Sequence, residues 1–393
     1  MVKKGLDAYF ALTYLCHSVA EGNLVKKRDN TVEAFFELLR AGLWEENIEL
    51  RQYGDIDYAL LYKLAEEQSI IGIIAAGLEH VIDIKPPKEL GLIFAGMALQ
   101  LEQRNLSMNS FLAELVTKMR KMNIYALLVK GQGIAQYYER PLWRASGDID
   151  FLFSNNNYQR AVNFLSNLAS SVDDEITYKF HQAMVIDSWD IDLHGSMRTG
   201  LWVSIDKAVD NVQKAVFYEG KVKLWLDGNT QIFTPGIDED LVIVFSHILQ
   251  HFYKEGVGLR QVCDCCRLLW SYRDSINSRL LESRLKAMHV MSEWKSFAAY
   301  LVNYLGFPRG VIPCYTPDKE WEQKAHRINS FILQSGNFGH NTIKSYRNIP
   351  VFIRKFCTAW DIIHNSLRHF LLFPSNSIKT CIYQLWIGLK SQF

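Results

Sequence analysis

The sequence predicts an α+β protein in which a small core of strands and helices lies between two helical regions. Two segments, Gly147–Phe153 and Trp189–His194, alternate apolar and polar residues with the period of a strand. On both sides of them apolar residues recur at helical spacing, and Pro235-Gly236 marks where the helical pattern resumes. The predicted parts are an N-terminal helical region, the core and a C-terminal helical domain, at 1–122, 123–235 and 236–393.

The individual helices follow from apolar residues repeated every three or four positions. In the N-terminal region they are predicted at Thr31–Leu43, Asp57–Gln68, Ile70–Val81 and Leu90–Met122. In the C-terminal domain they are predicted at Leu241–Tyr253, Leu259–Tyr272, Ser292–Leu305, Lys319–Leu333 and Pro350–Leu372. The core contributes strands at Ile124–Val129 and Lys221–Leu226 and a helix at Tyr158–Leu168. Glu175–Phe180 and Ala183–Asp187 are strand-like segments on either side of His181. The remainder of 202–233 shows no clear pattern.

The strand at Gly147–Phe153 carries the strongest chemical signal. Alternate side chains of a strand share a face, so Asp148 and Asp150 point one way while Ile149 and Phe151 point the other. Two neighbouring carboxylates repel each other unless a cation lies between them. Hard cations such as magnesium prefer oxygen ligands of this kind. The pair therefore predicts a metal site.

A third carboxylate comes from the segment Trp189–His194. Asp190, Asp192 and His194 share one face of that strand. If the strand pairs beside the first one, Asp192 completes a cluster of three carboxylates with Asp148 and Asp150.

A glycine-rich turn, Lys130-Gly131-Gln132-Gly133, follows the first predicted strand. Glycines allow a tight turn and a close approach of the backbone to a ligand. Backbone N–H groups at a helix start suit a phosphate, and a lysine adds a positive charge. Lys130, Gly131 and Gln132 are therefore candidate phosphate-binding residues; a structural turn with a solvated lysine is the alternative.

Together these segments resemble the DNA polymerase beta superfamily, and most of all an uncharacterised bacterial nucleotidyltransferase family within it. The matching motifs are Lys130-Gly131, the Arg-x-x-Gly-Asp-x-Asp segment from Arg144 to Asp150, and Asp192-Leu193-His194. The resemblance implies a small polymerase-beta-like core with a mixed sheet. Outside the core, Gly42-Leu43-Trp44 and Gly258-Leu259-Arg260 also match.

The resemblance implies transfer of a nucleoside monophosphate from a nucleoside triphosphate to a hydroxyl group, with two Mg²⁺ ions or alternatively Mn²⁺. Asp148, Asp150 and Asp192 would be the metal ligands and catalytic residues. Arg144 would contact the nucleotide phosphates or pair with Asp148 or Asp150. The superfamily usually has Gly-Ser at the turn. Because this chain has Gly131-Gln132, we expect Gln132 or Lys130 to replace the serine contact.

Four further polar residues are candidates for contact with the substrate. His194 follows Asp192 on the same strand face and would orient it or touch the substrate. His247 and His251 are four residues apart on a predicted helix, and Arg260 follows on the next one. Because the core is too small to enclose two substrates, we expect these helices to form one side of the cleft and to influence acceptor choice.

Net charge and cysteine content restrict the class of binding partner, the cellular compartment and the kind of metal site. The formal net charge is +1, so no global field attracts long nucleic acid. The seven cysteines, Cys16 among them, are few and odd in number, and the N-terminus shows no signal peptide pattern, which favours the cytoplasm. Cys263, Cys265 and Cys266 lack the spacing of a zinc site.

The C-terminal segment, 351–393, is apolar along one helical stripe and carries mostly basic charges. The stripe comprises Phe352, Phe356, Trp360, Ile363, Leu367 and Phe370. The basic residues are Arg354, Lys355, Arg368, Lys379 and Lys390. Such a helix either makes a weak peripheral contact with an anionic membrane or packs on the protein with a solvated basic face.

The acceptor is not identified by the sequence: a small molecule, a sugar, a protein hydroxyl and an RNA end all remain. Two alternatives to a metabolic enzyme also remain. One is a nucleotidyltransferase toxin that modifies tRNA or protein. The other is a non-catalytic nucleotide-binding protein with the same fold, an alternative suggested by Gln132 and opposed by the three aspartates.

Overall fold

The computed structural model of the protein describes residues 29–337 and 351–390, without the side chains of Tyr178, Val351, Phe352, Arg354 and Lys390. Cys16 and the N-terminal segment, in which no signal peptide pattern was found, lie outside the described residues. The chain divides into two compact units, one of Met1–Glu66 with Ile71–Ala98, the other of Glu67–Ile70 with Leu99–Phe393.

The described part of the first unit is helical. Its helices are α1 (29–44), α2 (Tyr58–Glu67), α3 (Ile71–Glu79) and the beginning of α4 (Lys88–Lys121). Helices α1 and α3 approach closely at two glycines: a Cβ on Gly42 would lie 1.9 Å from the Ile73 carbonyl oxygen, and one on Gly77 would lie 2.0 Å from that of Leu38. Only glycine fits at these contacts, because any side chain would push the two backbones apart.

The second unit contains a mixed five-stranded sheet. Its strands are β1 (Leu127–Val129), β2 (Ile149–Leu152), β3 (Ser171–Val172), β4 (His181–Ile186) and β5 (Trp189–His194). Their order is β1-β2-β5-β4-β3; β2 and β5 are parallel, and the other neighbours are antiparallel. A separate hairpin pairs β6 (Val222–Asp227) with β7 (Thr230–Pro235). Helices and a mixed sheet in one chain confirm the predicted α+β class.

One face of the five-stranded sheet is the hydrophobic core. Phe151, Ile191 and Leu193 are fully buried there and pack with α4 and with helix α6 (Asn155–Ser166). Strand alternation then directs Asp150 and Asp192 to the opposite face. The apolar pattern of the strands therefore determines which face carries the polar site.

The helices that follow the sheet are α7 (Val203–Tyr218), α8 (Ile237–Lys254), α9 (Leu259–Tyr272), α10 (Ser278–Met288), α11 (Met291–Leu305), α12 (Lys319–Ser335), α13 (Val351–Phe370) and α14 (Pro374–Lys390); the short α5 (Gly131–Ala135) follows β1. Most predicted helices are found within a few residues of their expected bounds. Three were not predicted: α7, α10 and α14. The first has its buried apolar residues at helical spacing, Ile205, Val209, Val212 and Val216.

The last two helices keep an exposed apolar surface, which we call the C-terminal apolar surface. On α13 it includes Phe356, Trp360, Leu367 and, just after the helix, Leu371; on α14 it includes Ile378, Ile382, Trp386 and Leu389. No helix in the described part of the chain combines the length and apolar character needed to cross a membrane.

The close contact of α1 and α3 yields a stability prediction. Gly42→Ala should lower the free energy of unfolding by about 3 kcal/mol, because the new methyl group overlaps a backbone carbonyl that cannot move away as a side chain would. Gly96→Ala is the matched control: Gly96 is also helical but has no atom within 4 Å of the added Cβ, so alanine should stabilise by about 0.5–1 kcal/mol. Urea unfolding of both variants measures the difference; equal effects would contradict the close packing.

Candidate active site

The turn between β1 and α5 has an unusual backbone. Lys130 has φ 57° and Gly131 has φ 43°. Glycine tolerates this left-handed region, but a lysine there costs of the order of 1 kcal/mol, and such residues cluster at functional sites. The conformation directs the Lys130 side chain onto β2, where its Nζ lies 2.8 Å from Oδ1 of Asp150.

The three aspartates selected from the sequence converge. Asp148 immediately precedes β2, Asp150 lies within it, and Asp192 is the direct neighbour of Asp150 in the parallel pairing with β5. One carboxylate oxygen from each of the three lies within 4.8 Å of the others. The predicted convergence of these residues is thus found, on the sheet face opposite the core.

Charge repulsion within this cluster is partly compensated by neighbouring cations. The charge of Asp150, together with burial, raises the pKa of Asp148. Burial opposes ionisation of Asp150, yet the Lys130 ammonium and the His194 imidazole hold the pKa of Asp150 well below its usual range. Burial likewise opposes the charge of Lys130, but Asp150 and Asp148 outweigh it and raise the Lys130 pKa. Lys130 and Asp150 are therefore both ionised.

Two histidines of adjacent strands contact the carboxylates. His194 Nε2 is 2.8 Å from Asp150 Oδ1, and His181 Nε2 is 3.3 Å from Asp192 Oδ2. His181 and His194 are direct cross-strand partners, with ring centroids 4.8 Å apart. Burial lowers the pKa of His194 even though Asp150 favours its charged form. His194 thus orients Asp150, whereas the sequence suggested Asp192 or the substrate; the residue beside Asp192 is His181.

His181 was missed because the strand-like segment was predicted to begin at Ala183, whereas β4 begins at His181. Asp187 and Ser188 both have positive φ and form a two-residue hairpin turn, in which Ile186 pairs with Trp189. From that pairing the register places His181 opposite His194. A two-residue hairpin recognised between the two apolar runs would therefore have identified His181.

Helix α8 contributes a second pair of histidines. His247 and His251 are one turn apart, and their Nε2 atoms are 2.9 Å from each other. His247 Nε2 is also 3.4 Å from Lys130 Nζ, and His251 Nδ1 is 3.1 Å from Glu255 Oε2. Burial, followed by the charge of Lys130, places the pKa of His247 well below its usual value. Burial also lowers the pKa of His251, so two neutral imidazoles lie beside the Lys130–Asp150 contact.

All these groups line one cavity of about 390 Å³ between the polar sheet face and helices α8 and α9. The sequence-selected residues that line it are Lys130, Gly131, Arg144, Asp148, Asp150, Asp192, His194, His247, His251 and Arg260. The predicted position of His247, His251 and Arg260 in the same cavity as Asp148 is therefore found in the structure. Lys179, His181, Thr199, Lys254 and Asp264 line it as well and were not selected as site residues.

Comparison with known proteins agrees with this geometry. A family model described as "Uncharacterised nucleotidyltransferase" matches residues 54–306, more than half of the chain. The chain belongs to this nucleotidyltransferase family. No curated protein and no solved structure matches it. The family resemblance inferred from the motifs is thereby confirmed, and the match extends from the first unit through α11.

Within this nucleotidyltransferase, Arg144 has a different partner from those expected. Its Nε and Nη2 lie 2.7 and 2.6 Å from the two carboxylate oxygens of Asp264 on α9. Its Nη1 donates to Ser146 Oγ at 3.0 Å, and Tyr138 donates its hydroxyl to Asp264 at 2.8 Å. Arg144 and Asp264 are both buried. The expectation that Arg144 pairs with Asp148 or Asp150 is corrected, because its partner is Asp264 in a fixed bidentate pair. Contact of Arg144 with the nucleotide phosphates stays a prediction.

Gln132 also differs from the expectation. Its side chain is buried, donates to Asn105 Oδ1 at 3.1 Å and accepts from Ser146 Oγ at 3.3 Å. These partners lie on α4 and on the loop before β2, outside the cavity lining. The Gln132 side chain therefore does not replace a serine hydroxyl at the phosphates. It connects the turn to α4, because a buried amide must satisfy its hydrogen bonds within the protein.

Arg260 of α9 also lines the cavity. Its Nη1 donates to the Ala145 carbonyl at 3.1 Å, next to the Gly147 backbone that leads into Asp148. Burial lowers the pKa of Arg260, and the neighbouring Arg144 acts in the same direction. Arg260 and Arg144 together attach α9 to the loop before β2, so the helix and the carboxylate strand keep a fixed spacing.

The buried pair gives a prediction that separates structure from nucleotide binding. Asp264→Asn should cost about 3 kcal/mol of stability, because it leaves the Arg144 guanidinium buried without its counter-charge. The matched control is Asp210→Asn, which breaks the more exposed bidentate pair with Arg198 and should cost about 1 kcal/mol or less. Chemical denaturation compares the two. If both variants lost equally little stability, the Arg144 guanidinium would not depend on Asp264 and would be available for phosphate contact.

Proposed function

We propose that this protein is a magnesium-dependent nucleotidyltransferase that moves a nucleoside monophosphate from a nucleoside triphosphate to a hydroxyl group of an acceptor. The observation that carries the proposal is the convergence of Asp148, Asp150 and Asp192 beside the Lys130-Gly131 turn in one cavity. A phosphate-binding turn and a carboxylate cluster serve different parts of the same transfer reaction, and their proximity supports that reaction.

The donor set fits a hard divalent cation. Three carboxylates with oxygens within 4.8 Å of one another offer only oxygen ligands, which suit Mg²⁺ and also Mn²⁺. Asp148 and Asp150 would hold the ion at the triphosphate, and all three aspartates would share a second ion. When bound, the ions would neutralise phosphate charge and make the acceptor hydroxyl more acidic.

The residues of the chain then have separate tasks. Lys130 and the backbone at Gly131 bind the phosphates of the nucleotide. Asp192 accepts the proton of the acceptor hydroxyl, whose oxygen forms a bond to the α-phosphorus. The bond between that phosphorus and the oxygen bridging to the β-phosphorus breaks, and pyrophosphate leaves with the bonding electrons. His194 and His181 hold the carboxylates of Asp150 and Asp192 in position.

Acceptor choice is assigned to the wall formed by α8 and α9. His247, His251 and Arg260 line the cavity from these two helices. A toxin acting on tRNA or protein would use the same core with a macromolecular acceptor, and transfer of labelled nucleotide to the components of a cell extract distinguishes that alternative. A cytoplasmic site of action is proposed because the triphosphates are found there.

The catalytic prediction uses two aspartates of the same strand. Asp192→Asn should reduce nucleotide transfer about 100-fold or more, because the amide neither accepts the hydroxyl proton nor provides a charged ligand. Asp190→Asn is the control: Asp190 lies two residues earlier on β5 and is exposed outside the main cavity. Transfer of label from an α-labelled triphosphate, with cell extract as acceptor source, measures both.

Equal rates in the wild type and Asp192→Asn would contradict the catalytic role of Asp192. A wild-type protein that binds the triphosphate with magnesium but transfers no label would favour the non-catalytic alternative instead. Circular dichroism of each variant verifies that the fold is retained, which is expected because Asp192 lies on a partly exposed face.

We also propose that the C-terminal apolar surface makes a weak peripheral contact with an anionic membrane. Phe356, Trp360 and Leu367 are more than half exposed on it. On the same helix the basic residues Lys355 and Arg368 outnumber the single acidic residue, Asp361. The resulting positive charge complements anionic lipid headgroups.

Vesicle flotation tests this contact. The protein should float with phosphatidylglycerol vesicles and far less with phosphatidylcholine vesicles, and high salt should weaken the association because it screens the basic residues. Phe356→Ser with Trp360→Ser should abolish flotation, whereas Tyr218→Ser, which alters an equally exposed aromatic residue elsewhere, should not. Self-association of the wild type that is lost in the double variant, without any vesicle binding, would show that the surface joins two copies instead.

A further inference from the structure

Two histidines and one aspartate form a second cluster of potential metal ligands beside the three aspartates. His181 lies on β4, and Asp192 and His194 lie two residues apart on β5. One ligand atom from each of these three residues lies within 4.8 Å of the others. Asp192 belongs to both clusters. The aspartate cluster offers oxygen ligands alone, whereas this one, which we call the histidine cluster, adds two imidazole nitrogens.

The backbone holds the two histidines of this cluster side by side. His181 and His194 are cross-strand partners at one end of the antiparallel pairing of β4 with β5, and their ring centroids are 4.8 Å apart. The two chains stay connected beyond them, because Gly195 N donates to the Phe180 carbonyl at 2.7 Å. Paired strands therefore position both rings, and sites built on such elements hold their side chains more precisely than sites built on loops.

The distances within the histidine cluster suit a transition-metal ion. Two ligand atoms about 2 Å from a tetrahedral ion lie roughly 3.3 Å from each other. His181 Nε2 and Asp192 Oδ2 already have this separation, at 3.3 Å. His194 Nε2 lies 2.8 Å from Asp150 Oδ1 and would exchange that contact for the ion. Asp150 would keep its counter-charge, because Lys130 Nζ lies 2.8 Å from the same oxygen.

We propose that His181, Asp192 and His194 bind one divalent transition-metal ion, such as Zn²⁺ or Co²⁺, in addition to the magnesium ions of the proposed function. Two imidazoles and a carboxylate favour such an ion over Mg²⁺, which prefers oxygen ligands alone. Asp192 has two carboxylate oxygens and can bridge the two kinds of ion. Three protein ligands leave coordination positions open, and all three residues line the cavity, so a water or a substrate oxygen can reach the ion. The site does not rest on the proposed function, because it requires only these three side chains.

Titration with Co²⁺ in excess Mg²⁺ tests the site. Co²⁺ is the probe because its visible absorption changes when imidazole nitrogens replace water, and the Mg²⁺ competes for sites made only of oxygen. The wild type should bind Co²⁺ with this spectral change, and Zn²⁺ should displace it. His181→Ala and His194→Ala should each raise the Co²⁺ dissociation constant about 100-fold or more, because each removes one of three ligands. The control is His247→Ala, which alters another histidine of the same cavity and should bind Co²⁺ within a few-fold of the wild type.

A second comparison separates this inference from the proposed function. Asp148→Asn should weaken magnesium-dependent binding of a nucleoside triphosphate while Co²⁺ still binds, and His181→Ala should lose Co²⁺ binding while the triphosphate still binds. A wild type that binds Co²⁺ in this way but binds no triphosphate would contradict the proposed function alone.

Two results would overturn the transition-metal site. One is the absence of the spectral change in the wild type, or its survival in both His181→Ala and His194→Ala. The other is its loss in Asp148→Asn with little effect of His181→Ala, which would place the Co²⁺ at the three aspartates. If circular dichroism shows that His194→Ala does not fold, His181→Ala and His181→Gln decide the outcome.

Discussion

The site depends on the energetic problem of holding three carboxylates together on a partly buried sheet face. Asp150 is almost fully buried, and its ionised form would be strongly disfavoured there without compensation. Lys130 supplies the counter-charge from 2.8 Å, at the cost of a left-handed backbone at a non-glycine residue. The backbone strain at Lys130 therefore accompanies the ionisation of Asp150, and the contact between the two side chains fixes the position of the Lys130-Gly131 turn.

A second buried ion pair fixes helix α9 to the sheet. The buried pair of Arg144 and Asp264 connects the loop before β2 with α9, and Tyr138 satisfies a further acceptor position of the same carboxylate. A buried pair holds this spacing because loss of either partner would leave an uncompensated charge. Arg144 and Arg260 therefore hold α9 and the loop before β2 in a fixed position beside the cavity. Lys179 and Lys254 also line the cavity, and burial lowers the pKa of both.

The sequence predicted the parts of this site that depend on local periodicity. Strand alternation placed Asp148, Asp150 and Asp192 on one face because the buried residues between them are apolar. It did not predict the partner of Arg144, since Asp264 is 120 residues further along the chain and lies on another element. Gln132 was misassigned for a related reason: the turn suggested its backbone role, but the direction of its side chain is determined by Asn105 on α4. Where the local sequence pattern allows several hydrogen-bond or ion-pair partners for a side chain, long-range packing determines which of them it contacts.

The different surroundings of the aspartates support different roles in the proposed reaction. The side chain of Asp150 is 4% exposed, and its Oδ1 contacts both Lys130 and His194, so this carboxylate is held in a fixed orientation as a charged group. The side chain of Asp192 is 25% exposed, with His181 beside one of its oxygens. A carboxylate that is oriented on one side and accessible on the other is better suited to accept a proton from an incoming hydroxyl. Asp192 also lies beside β4, whereas Asp150 lies on the other side of it on β2, so His181 can orient the proton-accepting carboxylate without contacting the carboxylate that holds the charge of Lys130.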